Sequence, residues 1–303
     1  MQLPAAYLTV ILIWSTTPLA IKWSAVGAHF AFAVLARMVI GATLSCALIA
    51  AFRVGLPLHA RARRSYLVGG LSMFFAMLST YWGARYVDSG LVSVLFGLSP
   101  LITSLFAALW LGERALGLAR ISGMLLGVAG LALIFAADRG PAGEQATLGL
   151  LALLAAVLVY SAGMVAIKRI GDDSPPLATT AGTLLVAIPF FTAAWLAGDG
   201  QWPQDMPLRT QAAIAYLGVF GSVLGFALYY YVIKHLQASQ VALITLVTPV
   251  LALLLGHALN GEEVGLRVWA GAGLITLGLT LHQWSALSAW AAPAVARRLS
   301  AGQ

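Results

Sequence analysis

Long apolar stretches alternate with short polar connections along almost the whole chain. Each stretch is close to the roughly 20 residues that a helix needs to cross a bilayer, and none shows the alternation typical of β-barrel strands. The pattern predicts ten membrane-spanning helices, at residues 4–23, 30–52, 66–84, 91–111, 116–136, 147–167, 177–197, 212–233, 239–259 and 267–287. The longest connections, such as 53–65 and 198–211, are too short to form a soluble domain.

The composition agrees with a lipid environment. Apolar residues make up 61% of the 303 positions and charged residues 9%, and a soluble fold of this size could not bury so much apolar surface. The net charge is +7, but the basic residues are scattered rather than gathered on one face. We therefore expect a lipid bilayer and not a nucleic acid as partner. The single cysteine, Cys46, excludes a disulfide framework and a Cys-based metal site, and we expect neither a metal nor a cofactor.

The distribution of Lys and Arg between alternate connections predicts the orientation. If the N-terminus is cytoplasmic, the inner connections hold eleven basic residues and the outer connections hold five. Because cytoplasmic connections carry the excess of Lys and Arg, this distribution predicts that both termini are cytoplasmic. No basic segment precedes Lys22, so the first span is interpreted as a retained helix and not as a cleaved signal peptide.

The chain also contains an internal repeat. At an offset of 149 residues, Tyr81, Ser99, Pro100, Gly112 and Glu113 align with Tyr230, Thr248, Pro249, Gly261 and Glu262, and at an offset of 146, Trp14, Ser15 and Lys22 align with Tyr160, Ser161 and Lys168. We place the two halves at residues 1–140 and 141–303, with five spans each. An odd number of spans inverts the second half relative to the first, and inverted repeats are the architecture of alternating-access transporters.

Together these features resemble the EamA branch of the drug/metabolite transporter superfamily. The resemblance is carried by the aromatic-Ser pairs, by the Lys that ends the first helix of each half, and by the segments from Pro100 to Glu113 and from Pro249 to Glu262. It implies an all-α integral membrane protein of the bacterial inner membrane with ten helices in two inverted five-helix repeats. It further implies export of amino acids or related metabolites through a central cavity lined by the first, third, fourth, sixth, eighth and ninth helices.

The two repeat-related prolines point to the middle of this path. A proline inside a helix leaves the carbonyl four residues earlier without its hydrogen bond, which predicts bends in spans four and nine. Freed carbonyls at membrane depth are tolerated only beside protein or a water-filled cavity. We therefore expect the cavity to be bordered by Phe96 and Ser99 in span four and by Thr245 and Thr248 in span nine, although each bend could also be purely structural.

The other candidate residues are aromatic, basic or proline. Trp14, Ser15, Tyr160 and Ser161 are expected in the cavity, as are Tyr81 and Tyr230, for which a place in the interfacial aromatic belt is the alternative. Lys22 and Lys168 are candidate gate residues, with snorkelling as the alternative. Pro18 has no partner in the second half and is expected to make the two halves close differently.

Few charged residues fall within the predicted spans. Arg37 is costly there, and we expect it to be a structural pair or a snorkelling side chain. Glu113 and Glu262 are expected to cap the helices that follow them, and His257 to be a hydrogen-bonded core residue. No Asp or Glu lies deep in a span, which predicts facilitated or weakly coupled exchange and not antiport through a buried acid.

Other functions remain open at this point. An exporter of drugs or organic cations would have the same fold. An intramembrane enzyme would show catalytic side chains at helical spacing within the spans, and a cation channel an acidic ring or a carbonyl filter. Neither pattern is present. The sequence therefore predicts a non-enzymatic carrier of a small-molecule substrate that works as a monomer or as a weak homo-oligomer.

Overall fold

The computed structural model describes residues 3–112, 117–136, 143–236 and 238–284, which form helices joined by short turns, without a β-strand in these ranges. The elements are α1 (Leu3–Ser24), α2 (Phe30–Ala51), α3 (Ala60–Gly83), α4 (Ser89–Phe96), α5 (Ser99–Leu111), α6 (Leu118–Phe135), α7 (Gly143–Ile170), α8 (Pro176–Gly198), α9 (Leu208–Tyr216), a π-helical segment (Leu217–Leu224), α10 (Gly225–His235), α11 (Ala238–Asn260) and α12 (Leu266–His282). Span four consists of α4 and α5, and span eight of α9, the π-helical segment and α10. The ten predicted spans are thereby confirmed.

Most of these spans have the dimensions of transmembrane helices. Within the described ranges, seven helical stretches are long and apolar enough to cross a bilayer, and Ile244–Asn260 is a shorter apolar helix. Because consecutive spans alternate in direction, α1 and α7 end on opposite sides of the bundle. The two sides are called here the Lys22 end and the Lys168 end.

Span four is interrupted where a bend was predicted. α4 ends at Phe96 and α5 begins at Ser99, with a turn at Gly97 and Leu98. Span nine behaves differently, because α11 continues through Pro249 as one helix, just as α1 continues through Pro18. The residue that corresponds to Gly97 in span nine is Leu246. Leucine favours the helix much more than glycine does, which accounts for a break in only one of the two spans.

Spans four and nine pack closely against each other at two glycines. A Cβ atom on Gly97 would lie 3.4 Å from Cγ of Pro249, and one on Gly90 would lie 2.5 Å from Cδ2 of Leu253. The break in span four therefore lies directly against the proline of span nine, near the middle of both spans.

A second glycine contact joins α6 to α12. A Cβ on Gly130 would lie 2.5 Å from the carbonyl oxygen of Gly271, and one on Gly271 would lie 2.7 Å from that of Gly130. Gly123 and Gly278 approach each other in the same way. The two backbones are thus in direct contact, as small residues at helical spacing permit in membrane helices.

The buried apolar side chains form two separate clusters. The larger joins both halves and includes Leu91 and Leu95 of α4 with Leu150 and Leu153 of α7. The smaller lies towards the Lys168 end and consists of Ala6, Val10, Ile11, Val232, Val241 and Ile244. At that end, α1, α10 and α11 therefore form a group with its own small core.

The glycine contact between α6 and α12 predicts the effect of a single methyl group. Gly130→Ala would place a methyl 2.5 Å from the Gly271 carbonyl oxygen and 2.8 Å from Cγ1 of Ile275, so we expect a loss of about 1–3 kcal/mol from overpacking. Gly273→Ala on α12 is the matched control, because no atom lies within 4 Å of its added Cβ. Thermal unfolding in detergent should show a lower Tm for the first variant alone, and equal Tm values would contradict the contact.

Candidate functional site

Four predicted cavity residues meet at the interruption of span four. The ring centroids of Phe96 and Tyr160 lie 6.3 Å apart, and Ser161 Oγ donates a hydrogen bond to the Ser99 carbonyl oxygen at 3.4 Å. Ser99 Oγ is enclosed and has no hydrogen-bond partner among the described residues. The broken span and α7 therefore bring two hydroxyls, two aromatic rings and a helix break together near the centre of the bundle.

Trp14, the aromatic candidate on the first helix of the first half, contacts span eight. The rings of Trp14 and Tyr229 lie 4.6 Å apart, and a Cβ on Gly225 would lie 3.5 Å from Nε1 of Trp14. Ser15, the next residue, is buried, and its Oγ has no partner in the described part of the chain. The repeat-related Trp14 and Tyr160 are thus placed in different surroundings, one against α10 and one against α4.

The remaining cavity candidates have varied positions. On α11, Thr248 is buried, and Thr245 Oγ1 accepts a hydrogen bond from Gln283 Nε2 at 3.5 Å. Tyr81 is only 1% exposed, so it lies inside the bundle and not at its surface. The side chain of Tyr230 lies outside the described residues.

Arg37 is buried against the π-helical segment. The residue is 6% exposed, so the guanidinium does not snorkel. Its Nε donates to Ser222 Oγ at 3.0 Å, and its Nη2 donates to the Gly221 carbonyl oxygen at 3.4 Å. Nη1 is enclosed without a partner among the described residues. The sequence indicated a structural pair, but it carried no signal for the π-helical segment that supplies both acceptors, a kind of segment often found at functional sites.

Glu262 lies at the Lys22 end, where it caps a helix of the other half. Its Oε2 accepts hydrogen bonds from the backbone N and from Oγ of Ser89, both at 2.9 Å. Its Oε1 accepts from Asn260 Nδ2 at 2.9 Å and from Lys22 Nζ at 3.4 Å. Ser89 is the first residue of α4, so the carboxylate stabilises the positive N-terminal end of that helix.

This arrangement corrects the expectation that Glu262 caps α12. The N-cap residue of α12 is Gly265, and no side chain caps that helix. α11 ends at Asn260, and the next residue, Gly261, has the left-handed conformation with φ 65°. The backbone N of Glu262 donates to the Gly256 carbonyl at 3.2 Å. This turn ends the helix and directs the carboxylate across to α4. Glu113, its counterpart in the first half, lies outside the described residues.

Lys22 lies between two carboxylates. Its Nζ donates to the Val87 carbonyl at 3.0 Å and lies 3.7 Å from Asp88 Oδ1. Burial raises the pKa of Asp88, an effect that the Lys22 ammonium opposes and the charge of Glu262 reinforces. Burial would also raise the pKa of Glu262, but hydrogen bonds from Ser89 and Asn260 and the charge of Lys22 outweigh it and lower that pKa.

Further bonds tie α9 to the same end. Trp23 Nε1 donates to Asn260 Oδ1 at 3.0 Å, and the guanidinium of Arg209 lies 3.6 Å from the centre of the Trp23 ring. Thr210 Oγ1 donates to the Val26 carbonyl at 2.7 Å. The Lys22-end network, defined as Lys22, Trp23, Asp88, Ser89, Arg209, Thr210, Asn260 and Glu262, therefore joins α1, α4, α9 and the end of α11. Lys168, the other gate candidate, is exposed near the C-terminus of α7, at the opposite end of the bundle.

Two histidines need a separate account. His257 is exposed, so its predicted burial is wrong, although its Nδ1 does lie 2.9 Å from the Glu262 carbonyl oxygen.

His59 has a ring nitrogen that lies within 4.8 Å of carboxylate oxygens of Asp172 and Asp173. However, His59 Nδ1 accepts a hydrogen bond from the Ala62 backbone N–H at 3.2 Å, so the neutral ring carries its proton on Nε2, facing Asp172 Oδ1 at 3.7 Å. We interpret this cluster as a helix cap tied to a neighbouring turn and not as a metal site.

Comparison with known proteins identifies the family. The sequence profile of the EamA-like transporter family matches residues 5–136 and 147–282. The chain belongs to this family. As a member of the EamA-like family, it is a multi-pass membrane protein that takes a small-molecule substrate, which confirms the resemblance inferred from the aromatic-Ser and Gly-Glu motifs.

Several relatives of this EamA-like protein carry the name transporter. An uncharacterized transporter of Archaeoglobus fulgidus is 27% identical over 69% of this chain and 72% of its own length. The uncharacterized transporter YvbV of Bacillus subtilis is 29% identical over 71% and 70%. An uncharacterized protein of Pseudomonas aeruginosa is 33% identical over 72% and 75%. A solved crystal structure with 23% identity covers 93% of this chain and 97% of its own, with a TM-score of 0.65, and shows the same fold.

The hydrogen bond between Arg37 and Ser222 predicts a difference between two buried serines. Ser222→Ala removes the acceptor for Arg37 Nε and leaves a buried charged donor unpaired, which should cost about 1–3 kcal/mol. Ser45→Ala on α2 is the matched control, because Ser45 Oγ is buried with no partner among the described residues. Thermal unfolding should show destabilisation in the first variant and little change in the second. A Tm unchanged by Ser222→Ala would show that the bond does not support the fold.

Proposed function

We propose that the protein is a secondary transporter that exports amino acids or related small metabolites by alternating access of two inverted five-helix halves, residues 1–140 and 141–303. The observation that carries the proposal is the Lys22-end network. Lys22 and Ser89 of the first half bond to Glu262 of the second half and so close one end of the bundle with polar contacts. Polar contacts at a water-facing end can be exchanged for water when the end opens, which alternating access requires.

The excess of basic residues in the inner connections supports an orientation with both termini in the cytoplasm of a bacterial inner membrane. The Lys22 end then faces outward, and the conformation described here is closed towards the outside. At the cytoplasmic end, α1, α10 and α11 have their own small apolar core, which would let them move as a group.

The middle of the bundle offers hydroxyls, aromatic rings and backbone carbonyls for binding. Ser99, Ser161, Phe96 and Tyr160 meet there, and the described spans contain no Asp or Glu apart from Glu144 in the first turn of α7. Such groups suit the amphipathic side chains of amino acids, aromatic ones among them. They also support facilitated or weakly coupled exchange over antiport through a buried acid.

Arg37 distinguishes this function from the alternative, export of organic cations. Gly221, whose carbonyl accepts a hydrogen bond from Arg37 Nη2, also lies near α1, because a Cβ on it would lie 3.7 Å from Thr17 Oγ1. Among the described residues no carboxylate pairs with Arg37. An uncompensated positive charge at this depth attracts carboxylates and repels cations, which favours substrates that carry a carboxylate.

Substrate counterflow in proteoliposomes tests the proposal. Preloaded vesicles should exchange labelled amino acids, and Tyr160→Ala and Trp14→Ala should slow the exchange about two- to tenfold, the worth of one aromatic contact. Trp110→Ala is the matched control, because Trp110 is exposed on α5 and should leave exchange unchanged. Single-channel currents would instead indicate a pore, product formation an enzyme, and exchange of organic cations alone the alternative substrate class.

The central path can be mapped by cysteine accessibility. In a Cys46→Ser protein, single cysteines at Trp14, Phe96, Ser99, Tyr160, Thr245 and Thr248 should react with a water-soluble thiol reagent in at least one state. A cysteine at Leu150, buried in the larger cluster, should stay unreactive. If all six positions were inert in every state, the assignment of the path would be wrong.

A further inference from the structure

We propose that the outer gate opens by an exchange of caps on α4, in which Glu262 leaves the N-terminus of the helix and Asp88 replaces it. The inference rests on the proposed alternating access. It assigns a gating role to Glu262, which the sequence indicated only as a structural cap, and to Asp88.

The bonds of Glu262 hold the two halves together. Its carboxylate receives two bonds from Ser89, one from the backbone N–H of Gly90 and one from Lys22, all in the first half, whereas the bond from Asn260 comes from its own half. Opening the Lys22 end therefore requires the carboxylate to leave α4. Glu262 is 5% exposed, whereas the side chains of its neighbours Lys22 and Asp88 are 27% and 39% exposed, so water already reaches the rim of this contact.

The helix that Glu262 caps is short and separate from the rest of span four. α4 has eight residues and is separated from α5 by the turn at Gly97 and Leu98. Its contact with α11 is apolar, and the small residue there is Gly90 of α4, which lies against Leu253. α4 can therefore swing on the turn while α5 keeps its place beside α7.

The residue that could replace Glu262 as the cap of α4 is Asp88. Asp88 is the N-cap residue of α4, with the extended backbone (φ −67°, ψ 147°) from which an Asp side chain caps a helix, yet it makes no capping hydrogen bond. In the closed conformation its carboxylate lies near Lys22, and Glu262 occupies the backbone N–H groups of Ser89 and Gly90, of which that of Gly90 is within reach of an N-cap side chain. When Glu262 leaves, Asp88 can turn to the free N–H groups of α4. The backbone N–H groups at the N-terminus of α4 then have a carboxylate acceptor in both conformations, and the free-energy difference between the two conformations stays small.

The exchange can be measured as the distance between the halves. Spin labels at Arg85 and Gly265, in a Cys46→Ser background, lie on exposed residues of opposite halves at the Lys22 end. Double electron–electron resonance in lipid nanodiscs then reports the ratio of open to closed molecules. Glu262→Gln should raise that ratio about tenfold, since it loses charge-assisted bonds. Glu263→Gln, next to it but exposed, should leave the ratio unchanged.

Variants of Asp88 separate capping from charge. Asp88→Ala removes the replacement cap and should lower the ratio of open to closed molecules. Asp88→Asn keeps a side chain that caps as well as Asp and should retain the open conformation, although it loses the charge that faces Lys22. The proposal is overturned if Glu262→Gln leaves the distances unchanged, or if Asp88→Ala and Asp88→Asn act alike. The distance measurement needs no substrate. If counterflow failed for every amino acid, the proposed function would be contradicted, but the test of the cap exchange would be unaffected.

Discussion

A helix that breaks inside a bilayer must find partners within the protein for the backbone groups that the break exposes, because lipid offers none. Span four is such a helix, and much of the structure is arranged around it. Its middle lies against Pro249 of span nine, the carbonyl of Ser99 accepts a hydrogen bond from α7, and its first turn is capped by a carboxylate from the other half. Both halves therefore contribute to the surroundings of the interrupted span, while the backbone N–H groups of Gly97 and Leu98 bond within span four.

The rest of the bundle is held by contacts of a different kind. α6 and α12 meet backbone to backbone at glycines, a contact that tolerates little movement since no side chain can adjust. At the Lys22 end, α1 meets α9 and the end of α11 through a hydrogen bond and an aromatic–cation contact, beside a further glycine contact between Gly83 of α3 and Gly149 of α7. The molecule thus combines close backbone contacts at glycines with a network of polar contacts at the Lys22 end.

The sequence predicted the features that depend on local pattern, and it missed those that depend on geometry between distant segments. The ten spans follow from their length and apolarity, and the glycine contact of α6 and α12 follows from small residues at helical spacing. The cap formed by Glu262 could not be predicted, because it joins residues 173 positions apart through a turn whose direction depends on Gly261. The π-helical segment carries no local signature, so the acceptors of Arg37 could not be named. The difference between spans four and nine was visible in Gly97 and Leu246, but only by comparing the residues near each proline and not the prolines alone.

The uninterrupted course of α11 through Pro249 has a mechanical consequence. Eleven residues lie on each side of this proline, so the helix has two arms of about 16 Å, and Gly97 supports it at the middle. If α11 turns as one body about this contact, an inward movement of its arm at the Lys168 end carries its arm at the Lys22 end outward, and with it the carboxylate of Glu262 away from α4. Closing one end of the path would then force the other end open, so that a single continuous helix prevents a leak through both ends at once.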